Sequence, residues 1–303
     1  SAFVEHDRLT SEKEERRTPE GIPQMLPLSG SSSFVIRVHM DQYDSQDYAD
    51  RWLSDSFRVL QESPPGFMVY IHVEMTKVRA LIDQFRQAGV KVSYSAVLVR
   101  AAGLALARNP DLHVLLAGSR RLRPATVDVG LSVANEAAAA PVMQLKDVPG
   151  KPLPQLAAEI EKRAPEVRAE DSRTLATLRR WGWLLPTAWL RRWVLRRLFS
   201  SLRFKKLFGS LQITILPSVE MVSSNICGTT AVLSIGRVSE RVVVRDGQPA
   251  VRLMATLSCS GDHKLWDGQR VGRFFTEIVR IFESGELLAE LPGVEHERPV
   301  TEL

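Results

Sequence analysis

A histidine and an aspartate four residues apart, in one short loop, are the residues of this sequence best suited to chemistry. The loop SGDHKLWDG carries His263, Asp267 and Gly268. Histidine can take up and release a proton near neutral pH because its ordinary pKa is about 6.5. We therefore expect His263 to act as a general base. The other interpretation is a surface histidine followed by an aspartate that only caps a helix.

Two elements of secondary structure are predicted to hold this loop. Alternating residues over 251–259 predict a strand that runs into it. After the loop, apolar residues recur at intervals of three and four, which predicts an amphipathic helix; they are Val271, Phe274, Phe275, Ile278 and Phe282. Asp267 stands at the expected N-cap of that helix and Gly285 at its expected C′ position. Gly268 would allow a turn close to the helix start.

The sequence argues against several other kinds of enzyme site. It contains no P-loop, G-x-G-x-x-G, G-x-S-x-G or H-E-x-x-H motif, and its six histidines lack metal-ligand spacing. We expect no metal site and no bound cofactor. Cys227 and Cys259 are too few for a disulfide framework and are predicted to be buried apolar residues. With no apparent signal sequence or transmembrane run, they favour a cytoplasmic protein.

One segment accounts for the net charge of +5: residues 179–206 hold nine basic side chains and no acidic one. The rest of the chain is net acidic, so we expect no nucleic-acid partner. The segment also holds four of the six tryptophans, namely Trp181, Trp183, Trp189 and Trp193. A helix from Pro186 would place an apolar set on one side, made of Leu190, Trp193, Val194, Leu198 and Leu202. It would place a basic set on another side, made of Arg192, Arg196 and Arg203.

Three interpretations of this segment, the basic insert (residues 179–207), remain open. The first is docking at a membrane surface. The second is contact with an acidic carrier protein or with substrate. The third is a packed helical insert whose arginines are merely solvated.

The order of the predicted elements indicates an α+β layered domain, because strands and helices are mixed without strict βαβ alternation. Residues 1–33, polar and interrupted by prolines, predict a flexible N-terminal arm. Residues 34–295 are predicted to form the main domain and residues 296–303 a polar tail. Within the domain, Asp246 and Gly247 predict the turn of a β-hairpin.

Residues 241–288 strongly resemble the C-terminal part of 2-oxoacid dehydrogenase acyltransferase catalytic domains. That family has the chloramphenicol acetyltransferase-like fold, and its hallmark is H-x-x-x-D-G, usually preceded by Asp. Here D-H-K-L-W-D-G occupies residues 262–268. The resemblance extends in order over about residues 50–166 and 208–288. It implies a two-layer sandwich with a mixed sheet and with helices packed on one face.

The resemblance also implies a reaction. An acyl group, acetyl being the simplest, would move from a CoA or carrier-protein thioester to a hydroxyl of a small molecule. His263 would be the base and acyl-CoA a co-substrate. In the family a Ser or Thr hydroxyl stabilises the oxyanion, and Thr214 of FGSLQITILPS stands at that position. Ile215 and Pro217 replace the Asn and Gly of the usual Ser-Asn-Leu-Gly, so an ordinary β-branched strand residue is the other interpretation.

In the family, the aspartate of the motif pairs with an arginine from an early helix, which holds the histidine loop in shape. The resemblance therefore implies a supporting role for Asp267 and Gly268. Arg51 is the candidate partner and Arg37 a rival, although Arg51 could equally be an exposed helix charge.

No lipoyl domain fits into the first 50 residues, which favours a CoA or acyl-carrier-protein donor and a small-molecule acceptor, as in natural-product (for example polyketide) biosynthesis. The first alternative is a dihydrolipoamide acyltransferase that serves a lipoyl domain on another chain. The second is an inactive relative that acts as an assembly or binding module. Proteins of this fold place the active site between subunits, so the resemblance also implies a homotrimer.

Overall fold

The computed structural model describes most of the chain after residue 46. The described residues are 24–27, 34–37, 47–61, 66–117, 120–134, 140–224 and 228–292. The predicted tail at 296–303, nearly all of the predicted arm at 1–33, Cys227 and the side chain of Arg37 lie outside them. The chain divides into two compact units, residues 1–46 and 47–303. In the first unit, β1 (Gln24–Pro27) pairs antiparallel with β2 (Phe34–Arg37).

The second unit contains the remaining elements. Its α-helices are α1 (Tyr48–Gln61), α2 (Thr76–Gln87), α3 (Tyr94–Arg108), α4 (Leu153–Trp181), α5 (Ala188–Phe199), α6 (Leu202–Lys205) and α7 (Gly268–Ser284). Its strands are β3 (Gly66–Glu74), β4 (Leu115–Ala117), β5 (Arg120–Leu122), β6 (Val129–Ser132), β7 (Val142–Leu145), β8 (Leu211–Ile215), β9 (Ala231–Ile235), β10 (Ser239–Arg245) and β11 (Gln248–Asp262).

A seven-stranded mixed sheet organises this unit, and β11 is its longest strand. Residues 248–254 of β11 pair antiparallel with β10, residues 254–262 with β3 and residues 257–261 with β9. Beyond β9, the strands β8 and β6 run parallel, and β7 closes the sheet antiparallel to β6. The predicted mixed sheet is confirmed.

Helices cover one face of the sheet. On β3, Val69 and Ile71 pack against the core, while the alternate residues Met68 and Tyr70 are exposed. This alternation follows from the two-residue period of a strand. The apolar sequence of α3 makes that helix almost wholly buried, and Phe274 and Ile278 of α7 are fully enclosed. The predicted layer of helices on one face is therefore confirmed.

The local signals near the end of the chain also predicted the structure correctly. Asp246 and Gly247 both have positive φ, 51° and 77°, as a type I′ hairpin turn between β10 and β11 requires. Gly285 ends α7 in the left-handed conformation, with φ 74°. All five predicted apolar residues of α7 are buried.

The basic insert differs from its predicted form. Helix α4 continues past Pro165 to Trp181, into the insert, and Leu202 belongs to the separate helix α6. In helix α5, Trp193 and Leu198 of the predicted apolar side are exposed, whereas Leu190 and Val194 are partly buried. The interpretation in which the arginines are merely solvated is wrong for Arg191 and Arg192, which bind Asp55, while the side chain of Arg197 is exposed.

Asp55 of α1 accounts for the burial of Arg191. Its carboxylate accepts hydrogen bonds from Nε of Arg191 at 2.7 Å and from Nε of Arg192 at 2.8 Å. The side chains of Asp55 and Arg191 are each 6% exposed. Burial by itself would raise the pKa of Asp55, but the hydrogen bonds from Arg192 and Arg191 outweigh it and leave the pKa below its ordinary value of 3.8. The stabilisation is therefore present above that pH and is lost as the pH falls through the lowered pKa.

We predict that Asp55→Ala lowers the free energy of unfolding by roughly 3 kcal/mol, because it leaves Arg191 buried without its anion. Urea unfolding at neutral pH measures the change. Arg179→Ala is the matched control, since it breaks the exposed pair with Asp47 and should have no measurable effect. Equal effects of the two substitutions would contradict this account.

Candidate functional site

His263 directly follows the last residue of β11 and is exposed in the single chain. The backbone N–H of Asp262 donates to the carbonyl of Thr230, and the carboxylate of Asp262 accepts from the N–H of Lys264 at 3.0 Å. The ring of His263 lies edge-on to Phe67, with centroids 5.6 Å apart. The position of the His263 side chain is therefore fixed by the end of β11, by the hydrogen-bonded turn and by the contact with Phe67.

Two buried side chains of the loop pack in the core and hold the loop in place. Leu265 and Trp266 lie in the core, and the Trp266 ring packs edge-on against Phe274 of α7 at 5.2 Å. Gly261 is required at the end of β11, since a Cβ there would lie 2.9 Å from the Phe67 ring and 3.0 Å from Cβ of Trp266. The backbone of the loop is therefore held in place while the side chain of His263 faces solvent.

Asp267 caps α7, as predicted: its carboxylate accepts from the N–H of Arg270 at 2.9 Å. That hydrogen bond, helped by the charge of the Arg270 guanidinium 3.5 Å away, holds the pKa of Asp267 below its ordinary value. Arg51 lies on α1 with its guanidinium over the ring of Tyr48. The structure brings Arg270 to Asp267, and the pairing of Asp267 with Arg51 stays a prediction.

Gly268 is the first residue of α7. Its φ is not positive, and a Cβ at this position would meet no described atom within 4 Å. The turn before α7 therefore does not use a left-handed glycine at this position. The supporting role of Gly268 stays a prediction.

Thr214 lies on β8 and belongs to a chain of polar side chains. Its hydroxyl is 2.9 Å from the hydroxyl of Ser132, which accepts a hydrogen bond from Nε2 of Gln212 at 2.9 Å. Because the Ser132 oxygen accepts from Gln212, its proton can be donated to Thr214. The proton of Thr214 is then available to an external acceptor.

The structure does not bring Thr214 and His263 together within one chain. In the strand register, Thr214 is level with Ser234 of β9, and Ser234 is level with Ser258 of β11. Asp262 lies four residues beyond Ser258, about 13 Å along the strand direction, and two strands across from Thr214. The two predicted catalytic residues therefore stand towards opposite ends of the sheet.

Lys205, at the end of the basic insert, lies near the His263 loop, and sequence reasoning missed it. Its Nζ donates to the carbonyl of Leu116 at 2.6 Å. Burial lowers the pKa of Lys205, and the charge of Asp262 partly offsets this. Its place in a run of basic residues was the only sequence signal. The insert rejoins the sheet at this end, where the N–H of Ser210 donates to the carbonyl of Asp128.

Other candidate chemistry is limited. Burial raises the pKa of the Cys259 thiol to about 12, which confirms an inert, buried cysteine.

Within the described ranges, no three His, Cys, Asp or Glu side chains form a group suited to a metal ion. None of the helices described there has both the length and the apolar character needed to cross a membrane. A cavity of about 280 Å³ lies between α2 and α7, away from the predicted site residues.

One protein family matches the chain over a range that includes the His263 loop. The family model of the 2-oxoacid dehydrogenases acyltransferase (catalytic domain) matches residues 54–174 and 226–289, more than half of the chain. The chain therefore belongs to this family, and the predicted class of enzyme, an acyltransferase, is confirmed at that level. The matched ranges include the His263 loop but leave out Thr214 and the basic insert.

Two curated relatives are each 26% identical to the chain. One is the dihydrolipoyllysine-residue succinyltransferase component of the 2-oxoglutarate dehydrogenase complex of Rickettsia bellii; the match covers 89% of this chain and 61% of that protein. The other is the lipoamide acyltransferase component of the branched-chain alpha-keto acid dehydrogenase complex of Bacillus subtilis; the match covers 73% of this chain and 47% of that protein. The chain thus spans about half to three fifths of their lengths.

Among solved structures, the cubic core of the pyruvate dehydrogenase multienzyme complex matches with a TM-score of 0.62 and 20% identity. The match covers 88% of this chain and 100% of that one. This likeness shows the fold alone, and it confirms the predicted fold class.

We predict that Asp267→Ala lowers the melting temperature by a few degrees, because α7 loses its N-cap. Asp267→Asn is the control, since asparagine caps a helix as well as aspartate does. Thermal unfolding followed by circular dichroism compares the two variants. If the Asn variant melts as early as the Ala variant, the charge of Asp267 matters more than its capping hydrogen bond.

Proposed function

We propose that the chain catalyses acyl transfer between the thiol of CoA and a dihydrolipoyl thiol carried by a lipoyl domain. The observation that carries this proposal is an intact D-H-K-L-W-D-G loop at the end of β11, in a chain of the 2-oxoacid dehydrogenase acyltransferase family. Both curated relatives are named as lipoamide or dihydrolipoyllysine acyltransferases. This supports the lipoyl alternative over the expected small-molecule hydroxyl. The proposal holds whether the lipoyl domain is on this polypeptide or on another one.

His263 acts as the general base. An unprotonated ring nitrogen of His263 takes the proton of the incoming thiol while the sulfur forms a bond to the thioester carbonyl carbon. The tetrahedral intermediate then expels the donor thiolate, which recovers the proton from the imidazolium. A thiol, with an ordinary pKa of about 8.5, is acidic enough for an imidazole to deprotonate it. The exposed position of His263 allows two large thiol substrates to approach it.

The hydroxyl of Thr214 donates a hydrogen bond to the oxyanion of the intermediate. Gln212 and Ser132 support this role, because Ser132 can accept from Gln212 and donate to Thr214, which leaves the Thr214 proton free in that arrangement. A fixed donor of this kind contributes about 2.7–4 kcal/mol to the stability of the transition state. Because Thr214 lies outside the family match, the hydroxyl chain is its main support.

The active site is completed by a second copy of the chain. Thr214 and His263 stand about 13 Å apart along the strands, too far to act on one thioester from the same protomer. In a homotrimer, His263 of one protomer faces Thr214 of the next, so three equivalent sites form. The similarity to the subunit of a multienzyme core supports such an assembly.

We predict that His263→Ala reduces turnover by about a hundred- to ten-thousand-fold, through loss of the base. Thr214→Ala should reduce it by about a hundred- to a thousand-fold. A thiol-release assay with acetyl-CoA or succinyl-CoA and free dihydrolipoamide measures both. A panel of small alcohols serves as the competing acceptor. Faster turnover with an alcohol than with dihydrolipoamide would contradict the proposed acceptor, and normal turnover of the His263 variant would contradict the base.

A mixing experiment tests the shared site. When the two inactive variants are unfolded and refolded together in equal amounts, about a quarter of the interfaces should contain both native residues. Turnover should then rise to about a quarter of the parent value. Each variant refolded alone is the control. If the mixture is no more active than the two separate variants, His263 and Thr214 do not form a site between copies.

A further inference from the structure

Helix α5 of the basic insert buries an arginine and exposes two tryptophans, which is unusual for a surface helix. Arg191 and Leu195 are buried, whereas Trp189 and Trp193 are 68% and 56% exposed. A surface helix normally buries its apolar side and exposes its charges. Here Asp55 accepts the arginines on the protein side, so the tryptophans are left facing outward.

Further large apolar side chains of the basic insert, within this helix and before and after it in the sequence, are exposed. They are Trp181, Trp183, Leu184, Leu198 and Leu207. We call these residues, with Trp189 and Trp193, the insert face. A protein that works alone in water rarely exposes so many large apolar groups in so short a stretch.

The charged side chains of the basic insert itself are all positive, and three of them, Arg179, Arg191 and Arg192, are paired with Asp47 or Asp55. No acidic residue occurs in residues 179–206. The side chains of Arg197 and Arg203 are exposed and make no hydrogen bond or ion pair with any residue that the structure describes. The guanidinium of Arg180 lies over the ring of Trp181, at 5.4 Å from its centroid. The insert face therefore suits a partner that is apolar at its centre and anionic at its surface.

We propose that the insert face docks onto the surface of an anionic lipid bilayer. Tryptophan rings favour the boundary between headgroups and acyl chains, and arginine and lysine bind the phosphates beside it. None of the described helices has the length and apolar character to cross a membrane. Isologous pairing of two copies through this face would bring like charges together, which argues against a symmetric dimer as the occupant.

The docked surface lies next to the chemistry. The basic insert rejoins the sheet at Ser210, and the last residue of β11, Asp262, hydrogen-bonds to Thr230 at the same end. Lys205 of the insert lies within electrostatic reach of Asp262. Binding through the insert face therefore tethers the His263 end of the sheet to the lipid surface.

Cosedimentation of the full chain with vesicles tests the proposal. The probes are phosphatidylcholine vesicles with and without phosphatidylglycerol. We expect binding to the vesicles that contain phosphatidylglycerol, weaker binding as salt is added, and a blue shift of tryptophan fluorescence in the bound state. Vesicles of phosphatidylcholine alone should bind far less protein.

The double variant Trp189→Ser with Trp193→Ser should bind these vesicles at least about tenfold more weakly, through loss of the inserted rings. Its matched control is Val242→Ser with Val244→Ser on β10, where the side chains are 73% and 75% exposed. The control should bind like the parent chain. Because all four side chains face solvent, each variant should keep the parent melting temperature.

The double variant Arg197→Ser with Arg203→Ser should lose about thirtyfold in affinity for the vesicles that contain phosphatidylglycerol. Removing two exposed arginines of α2, by Arg79→Ser with Arg86→Ser, changes the net charge equally and should leave binding near the parent value.

Three results would overturn the proposal. The first is a parent chain that ignores vesicles containing phosphatidylglycerol. The second is equal loss of binding in the insert variants and their controls. The third is a fall in solution mass of the tryptophan variant, which would show that the insert face joins copies of the chain.

Discussion

The pairing of β11 on both of its edges is the constraint on which the rest of the structure depends. Between residues 257 and 261, this strand is hydrogen-bonded to β9 on one side and to β3 on the other. Every residue from Met254 to Asp262 is buried. A strand held along both edges cannot slip by one residue without moving its whole apolar set to the wrong face. The position of His263 is therefore set by the register of the sheet as a whole.

The same register divides the candidate site between the two ends of the sheet. If catalysis needs both His263 and Thr214, an isolated protomer can fold and remain inactive. Activity then depends on protomer concentration as well as on the chemistry of each residue, because assembly and catalysis are linked by mass action. The polar chain of Gln212, Ser132 and Thr214 is preformed within one protomer. Assembly would then need only to bring His263 of a neighbouring protomer to Thr214.

Strong local signals made much of the fold predictable from sequence. The hairpin turn at Asp246, the cap at Asp267 and the apolar stripe of α7 each depend on neighbours within a few residues, so a pattern can specify them. The Asp55–Arg191 pair could not be predicted, since its partners are 136 positions apart. The periodicity of the helix therefore gave no sign that Arg191 is buried or that Trp193 and Leu198 are exposed. The separation of Thr214 from His263 likewise follows from strand order, which the sequence does not state.

The contact between α1 and the basic insert has an unusual character, because charges fill its buried part. A buried ion pair adds little net free energy compared with apolar packing of the same volume, yet it tolerates few alternative geometries. Asp55 thus fixes where the insert lies on α1 more than it increases the strength of the contact. If the two elements separate, both Asp55 and Arg191 regain hydration together, and neither charge is stranded. An apolar contact of the same volume would resist separation more strongly and define the position less sharply.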